Sequence, residues 1–117
     1  MDDIQKINAL LEKYPWDIYT ASKRTEDLRE TWQLTEARKD YETAKAFLTA
    51  KAGNLTEGQA KAKAVEAVYE TTQAAIMAES SFRRALADQT RIENEFTATR
   101  KMAELLKLTE QHMGKAA

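Results

Sequence analysis

Lys51-Ala52-Gly53-Asn54-Leu55-Thr56 is the only strong interruption in the middle of this chain. Gly53 suits the left-handed position just past a helix end. Thr56 with Gln59, or Asn54 with Glu57, offers a capping box that starts the next helix. Long helical patterns flank this turn on both sides. Pro15 is the only proline, glycine occurs three times, and cysteine is absent. The expected fold is all-α: a long antiparallel helical hairpin, or coiled coil, closed by a turn at 53–55.

Before the turn, Ile4, Ile7, Leu10, Leu11 and Tyr14 follow steps of three and four. Asp2 or Asp3 can cap this segment. The residue before a proline is driven out of the α region, so a short helix at about 2–13 should break at Pro15. A second helix follows at about 16–52. Its apolar stripe reads Ile18, Ala21, Thr25, Leu28 and Trp32, then Leu34, Ala37, Tyr41, Ala44 and Leu48. The stripe changes phase between Trp32 and Leu34.

After the turn, one helix is expected over about 56–113, with the tail 114–117 fraying. Its stripe reads Ala62, Val65, Tyr69, Thr72 and Ile76. It continues through Phe82, Leu86, Gln89, Ile92, Phe96, Thr99, Ala103, Leu106 and Met113. A tight turn near Asn54 makes facing residues sum to ~108 in antiparallel geometry. Leu48 then faces Ala60, and Tyr41 lies near Ala67 and Val68. The short first segment covers the far end of the last helix. Trp32 and Phe82 fall near one another. Dense alanine from Ala60 to Ala87 lets the axes approach closely.

The 117 residues make one domain, 1–117, that is 43% apolar and 32% charged with net charge -1. Near neutrality removes any bulk drive toward nucleic acid or membrane. No run approaches the ~18 apolar residues of a membrane span, and no secretory apolar region opens the chain. The expected location is the cytoplasm.

Nothing in the sequence assembles a catalytic or metal site, a cofactor site or a small-molecule pocket. His112 is the only histidine and falls on the last helical turn, where a cation is favourable. Glu110-x-His112 lacks the spacing of bundle metal sites. The pairs Glu26/Glu30, Glu36/Asp40 and Glu66/Glu70 lie near basic residues, as on a solvated face. Glycines at 53, 58 and 114 match no phosphate-binding loop. An enzyme is not expected.

Two binding readings remain. From Lys45 to Lys63 the bases Lys45, Lys51, Lys61 and Lys63 oppose the single acid Glu57. A basic hairpin tip can contact phosphates, so these four lysines are the candidate nucleic-acid site. Only Phe47 is at hand for base stacking. Arg83, Arg84 and Arg91 are expected in ion pairs, with Glu79 for Arg83 and Asp88 or Glu95 for Arg91. A lone hairpin leaves much apolar surface wet, which favours self-association into a bundle. Trp32, Phe82, Tyr69 and Phe96 are the candidate anchors, because aromatics concentrate at interface centres.

Tyr41-Glu42-Thr43-Ala44-Lys45-Ala46, Lys51-Ala52-Gly53-Asn54, Thr56-Glu57 and Ala60-Lys61-Ala62 carry a resemblance, echoed by Arg91-Ile92-Glu93-Asn94-Glu95. Over roughly 41–103 the chain resembles short helical proteins of unknown activity from phages and prophages. Many are encoded beside replication and recombination genes. That resemblance implies an accessory factor in the host cytoplasm that binds a replication or recombination protein. It carries over no functional residues. Secreted helical hairpins with W-x-G at the turn are a poorer match, since the turn here is Ala52-Gly53-Asn54. A non-enzymatic interaction protein is therefore the leading expectation. Nucleic-acid binding through the tip and an architectural coiled-coil spacer are the alternatives.

Overall fold

The computed structural model describes residues 2–116, with side chains over 2–113; Met1 and Ala117 lie outside the described residues. Three helices follow in order: α1 (Asp3–Ala52), α2 (Glu57–Ala67) and α3 (Tyr69–Ala116). The fold is an all-α helical hairpin, with no strand among the described residues.

The chain forms two compact units. One comprises Met1–Thr25 with Ala85–Ala117, and the other is Glu26–Arg84. In the first, Tyr14 packs on Phe96 with ring centroids 5.8 Å apart. Ile4 and Ile7 share a groove with Ala103 and Leu106, and Ala21 shares one with Ala85 and Ile92. As the α1 numbers rise, the α3 numbers fall, so the two segments are antiparallel. In the second unit Trp32 stacks on Phe82 at 5.3 Å, and Thr71 donates to Glu42 at 2.6 Å. The same ordering makes these arms antiparallel too.

Facing pairs sit a few residues later than a sum of ~108 requires. Helical side chains lean toward their own N-terminus. In an antiparallel pair both leans act together, so each contact falls about two residues further along. Tyr14 thus meets Phe96 where the strict rule put Asn94.

Two caps start helices as local chemistry dictates. Gln5 N–H donates to Asp2 Oδ1 at 2.8 Å, and Asp2 N–H returns to Gln5 Oε1 at 3.4 Å. Thr56 and Gln59 form the second box: Gln59 N–H donates to Thr56 Oγ1 at 3.3 Å, and Thr56 N–H to Gln59 Oε1 at 3.1 Å. At the turn, the left-handed residue is Asn54 (φ 67), and no described glycine has a positive φ. This corrects the expectation for Gly53. Gly53 N–H bonds the Ala50 carbonyl and Asn54 N–H the Lys51 carbonyl, so α1 tightens into i→i+3 bonds and the reversal falls one residue later. Gly53 is still useful, because a Cβ there would sit 3.3 Å from the Ala50 carbonyl oxygen.

Two helix boundaries differ from expectation. Pro15 breaks nothing, and α1 runs through it unbroken from Asp3 to Ala52. Pro15 is exposed, while Tyr14 and Ile18 beside it are half-buried. Packing on both sides holds the helical path, although the Leu11 carbonyl loses its N–H partner. The expected single helix over 56–113 is instead divided at Val68 (φ −108, ψ 20), and α3 continues past Met113 to Ala116. Val68 N–H still reaches Ala64 at 3.2 Å, and Thr72 N–H reaches Val68 at 2.9 Å. The interruption is one residue deep.

Val68 also explains the phase. Ahead of it the buried residues are spaced by four, at Ala60, Ala64 and Val68. Beyond it the inward positions keep a seven-residue repeat: Ala75, Phe82, Gln89, Phe96 and Ala103, with Ala85, Ile92, Thr99 and Leu106 between them. A four-residue repeat drifts around a helix relative to a heptad, and the break at Val68 resets it. The phase change thus lies on the second arm, rather than at Trp32–Leu34 on α1.

Asn54→Gly is expected to keep or raise stability, and Asn54→Val to lower it by about 1–2 kcal/mol through left-handed strain. Urea unfolding of the two variants checks this; equal losses from both would show that the Asn54 side chain itself matters. Pro15→Ala restores a helical donor, so its unfolding midpoint should rise, by at most about 3 kcal/mol in stability. A lower midpoint would mean that Pro15 shapes the packing around Tyr14.

Candidate functional site

The aromatic candidates part company. Trp32 and Phe82 stack on each other inside their own hairpin, with the Arg29 guanidinium 5.3 Å from the Phe82 centroid. Phe82 is buried, and Trp32 Nε1 is buried without a hydrogen-bond partner. Phe96 is half-buried between Tyr14 and the Arg100 guanidinium. These three rings are already occupied within the chain. Tyr69 alone among the four is exposed, at 63%.

The Trp32–Phe82 stack sets the rotation of α1. With Trp32 inward, heptad spacing brings Thr35, Lys39, Glu42, Thr43 and Ala46 to the seam, and all are half-buried. The residues expected there point away. Leu34 is 72% exposed, Tyr41 67% and Leu48 66%, and Ala37 and Ala44 are exposed with them. On the second arm Ala62, Val65, Tyr69 and Ile76 are exposed as well, with only Thr72 half-buried. Leu48 therefore does not face Ala60. Ala60, Ala64 and Ala75 are almost fully buried, so small residues line much of the second arm's side of this seam. Bulky Leu34, Tyr41 and Leu48 would hold such helices apart.

Apart from Trp32 Nε1, the polar groups of Lys39, Glu42 and Thr43 at the seam are matched. Glu42 accepts from Thr71 Oγ1 at 2.6 Å and from Arg38 Nε at 3.0 Å. These bonds favour the charged carboxylate, the Thr71 hydroxyl most, and hold the Glu42 pKa below its ordinary value. Lys39 pairs with Glu36 at 3.1 Å. The Thr43 hydroxyl donates to its own Lys39 carbonyl at 2.7 Å, and Thr25, buried in the other unit, bonds the Ala21 carbonyl at 2.8 Å. A threonine satisfied by its own helix presents its methyl to the neighbour at little desolvation cost.

Lys45, Lys51, Lys61 and Lys63 are all exposed around the turn. Helix geometry sets two of them apart. Residues two apart on a helix point to opposite sides, which separates Lys61 from Lys63. Lys61 is drawn to Glu57 at 3.5 Å. The charge excess read from the sequence is real, but Lys61 and Lys63 do not share one face of α2.

The expected surface ion pairs form: Arg83 with Glu79 at 2.8 Å, and Arg91 with Glu95 at 2.9 Å and Asp88 at 4.0 Å. His112 lies beside Leu105, Leu108 and Met113 on an exposed face of α3. Among the described residues no group of three or more His, Asp or Glu could hold a metal ion. No described helix is long and apolar enough to cross a membrane. No family model, curated protein or solved structure matches the chain.

The outer stripe of α1, Leu34-Ala37-Tyr41-Ala44-Leu48, is thus an exposed apolar face with regular spacing. Its spacing was legible in the sequence, but its outward orientation was not.

Thr71→Val removes the leading donor to Glu42, so the Glu42 pKa should rise toward its ordinary value. A carboxyl-carbon NMR titration of wild type and variant reads this directly. Because the folded pKa is depressed, this contribution to stability is present above the unfolded carboxylate pKa and fades as pH falls through the lowered value. An unmoved Glu42 pKa in the variant would remove the Thr71 bond from the account.

Proposed function

We propose that the chain is a non-enzymatic interaction protein that binds a protein helix along the outer stripe of α1. One observation carries this: the hairpin turns polar Thr35, Lys39, Glu42 and Thr43 into its half-buried seam while leaving Leu34, Tyr41 and Leu48 mostly exposed. The stripe repeats every seven residues, the pattern that fits a second helix. Ala37 and Ala44 between the larger residues admit close approach. The resemblance to phage and prophage helical proteins directs the first search to replication and recombination proteins.

The tip lysines support a nucleic-acid reading less well, because Lys61 is drawn to Glu57 and Lys63 points away from it. The aromatic layers support a helical framework, with the outer stripe as its working surface.

A photo-crosslinking phenylalanine placed at Tyr41 should capture a protein partner from cell extract, and the same group at Thr49 should not. With that group at Tyr41, Leu34→Glu should abolish capture while helicity by circular dichroism stays unchanged, since Leu34 is 72% exposed. Salt-sensitive binding of oligonucleotides that disappears when Lys45, Lys51, Lys61 and Lys63 become Gln would displace this reading in favour of the tip.

A further inference from the structure

From the charges that border the outer stripe we infer that its helix partner is the same stripe of a second copy, paired in parallel and in register. The inference rests on the proposed role of that stripe and names its occupant. In coiled-coil terms Leu34, Tyr41 and Leu48 take one core position and Ala37 and Ala44 the other. Asp40 then flanks the seam on one side, and Arg38 and Lys45 on the other. All three are exposed.

In a parallel pair, each flanking residue meets the residue five further along on the partner helix. Asp40 of one copy then meets Lys45 of the other, and the two-fold axis repeats the contact. Gln33 meets Arg38 in the same way, as a neutral acceptor for a guanidinium, and Phe47 meets Ala52. An antiparallel pair does the reverse. It sets Asp40 near its own copy and Arg38 near Arg38 or Lys45, like charges in both cases. The charges therefore select the parallel arrangement and reject the other.

The ends of the stripe agree. Continuing its spacing backward reaches Glu30 and Asp27, and forward reaches Lys51. In a parallel pair each of these would stand against its own copy, so like charges close the seam at both ends. The paired segment is Leu34 to Leu48, wholly within the Glu26–Arg84 unit.

Native cysteine is absent, so a single introduced thiol reports the pairing cleanly. Ala44→Cys in the full chain, mildly oxidised, should form a disulfide-linked dimer, because parallel pairing sets residue 44 against its own copy. Sedimentation velocity of the cysteine-free protein should show a dimer that grows with concentration. Lys45→Glu should weaken it at least tenfold, and adding Asp40→Lys should restore it by reversing the pair. Circular dichroism keeps the comparison to variants of unchanged helicity. A chain that stays monomeric at all concentrations, or crosslinks only when Leu34→Cys and Ala44→Cys proteins are mixed, overturns the inference. If that monomer still captures another protein through Tyr41, only self-pairing has failed and the helix-binding reading stands.

Discussion

Two helices packed side by side can bury only one side of each, and everything else in this protein follows from which sides are chosen. In the Glu26–Arg84 unit the choice is made by the stack of Trp32 on Phe82. Once that layer is in place, heptad spacing leaves no freedom for the neighbouring positions. Thr35, Lys39 and Glu42 turn inward, and Leu34, Tyr41 and Leu48 turn out. The interior tolerates polar company because Ala60, Ala64 and Ala75 are small and the polar groups bond locally. Thr43 bonds its own backbone, Lys39 bonds Glu36, and Glu42 bonds Thr71. A large apolar stripe is thereby released from the fold.

What could be read from the sequence is what short-range chemistry controls. The turn, the Thr56–Gln59 box, the Asp2 cap and the Arg83 and Arg91 ion pairs each depend on residues within four positions of each other. The choice between faces depends on residues far apart in the chain. Leu34 to Leu48 has a sound helical apolar pattern, so periodicity alone favoured it for the core. Only the Trp32–Phe82 layer, fifty positions apart in the sequence, decides against it. The lysines of the tip show the same limit. Their number is visible in the sequence, but their directions follow from helix geometry.

Pro15 and Val68 make a complementary pair. A residue with a strong local bias against helix sits inside α1 without ending it, and a residue with no such bias ends α2. At Pro15, packing by Tyr14 and Ile18 outweighs a local cost. At Val68, the seam changes from a four-residue to a seven-residue spacing, and the backbone takes up the difference within one residue. In both places the partner helix overrides the intrinsic preference of the residue.

The chain has two tryptophans, and they differ in surroundings. Trp16 is 68% exposed beside Tyr19 at 5.7 Å, in the Met1–Thr25 and Ala85–Ala117 unit. Trp32 has its indole nitrogen shielded and its ring against Phe82, in the other unit. Indole emission shifts to the blue when water is excluded. Each unit therefore carries its own chromophore, one already wet in the native state and one half-buried with its nitrogen shielded. Unfolding the Glu26–Arg84 unit moves the emission wavelength, and loosening the other leaves it nearly still. The emission wavelength thereby reports on the Glu26–Arg84 unit alone, although both units carry an indole.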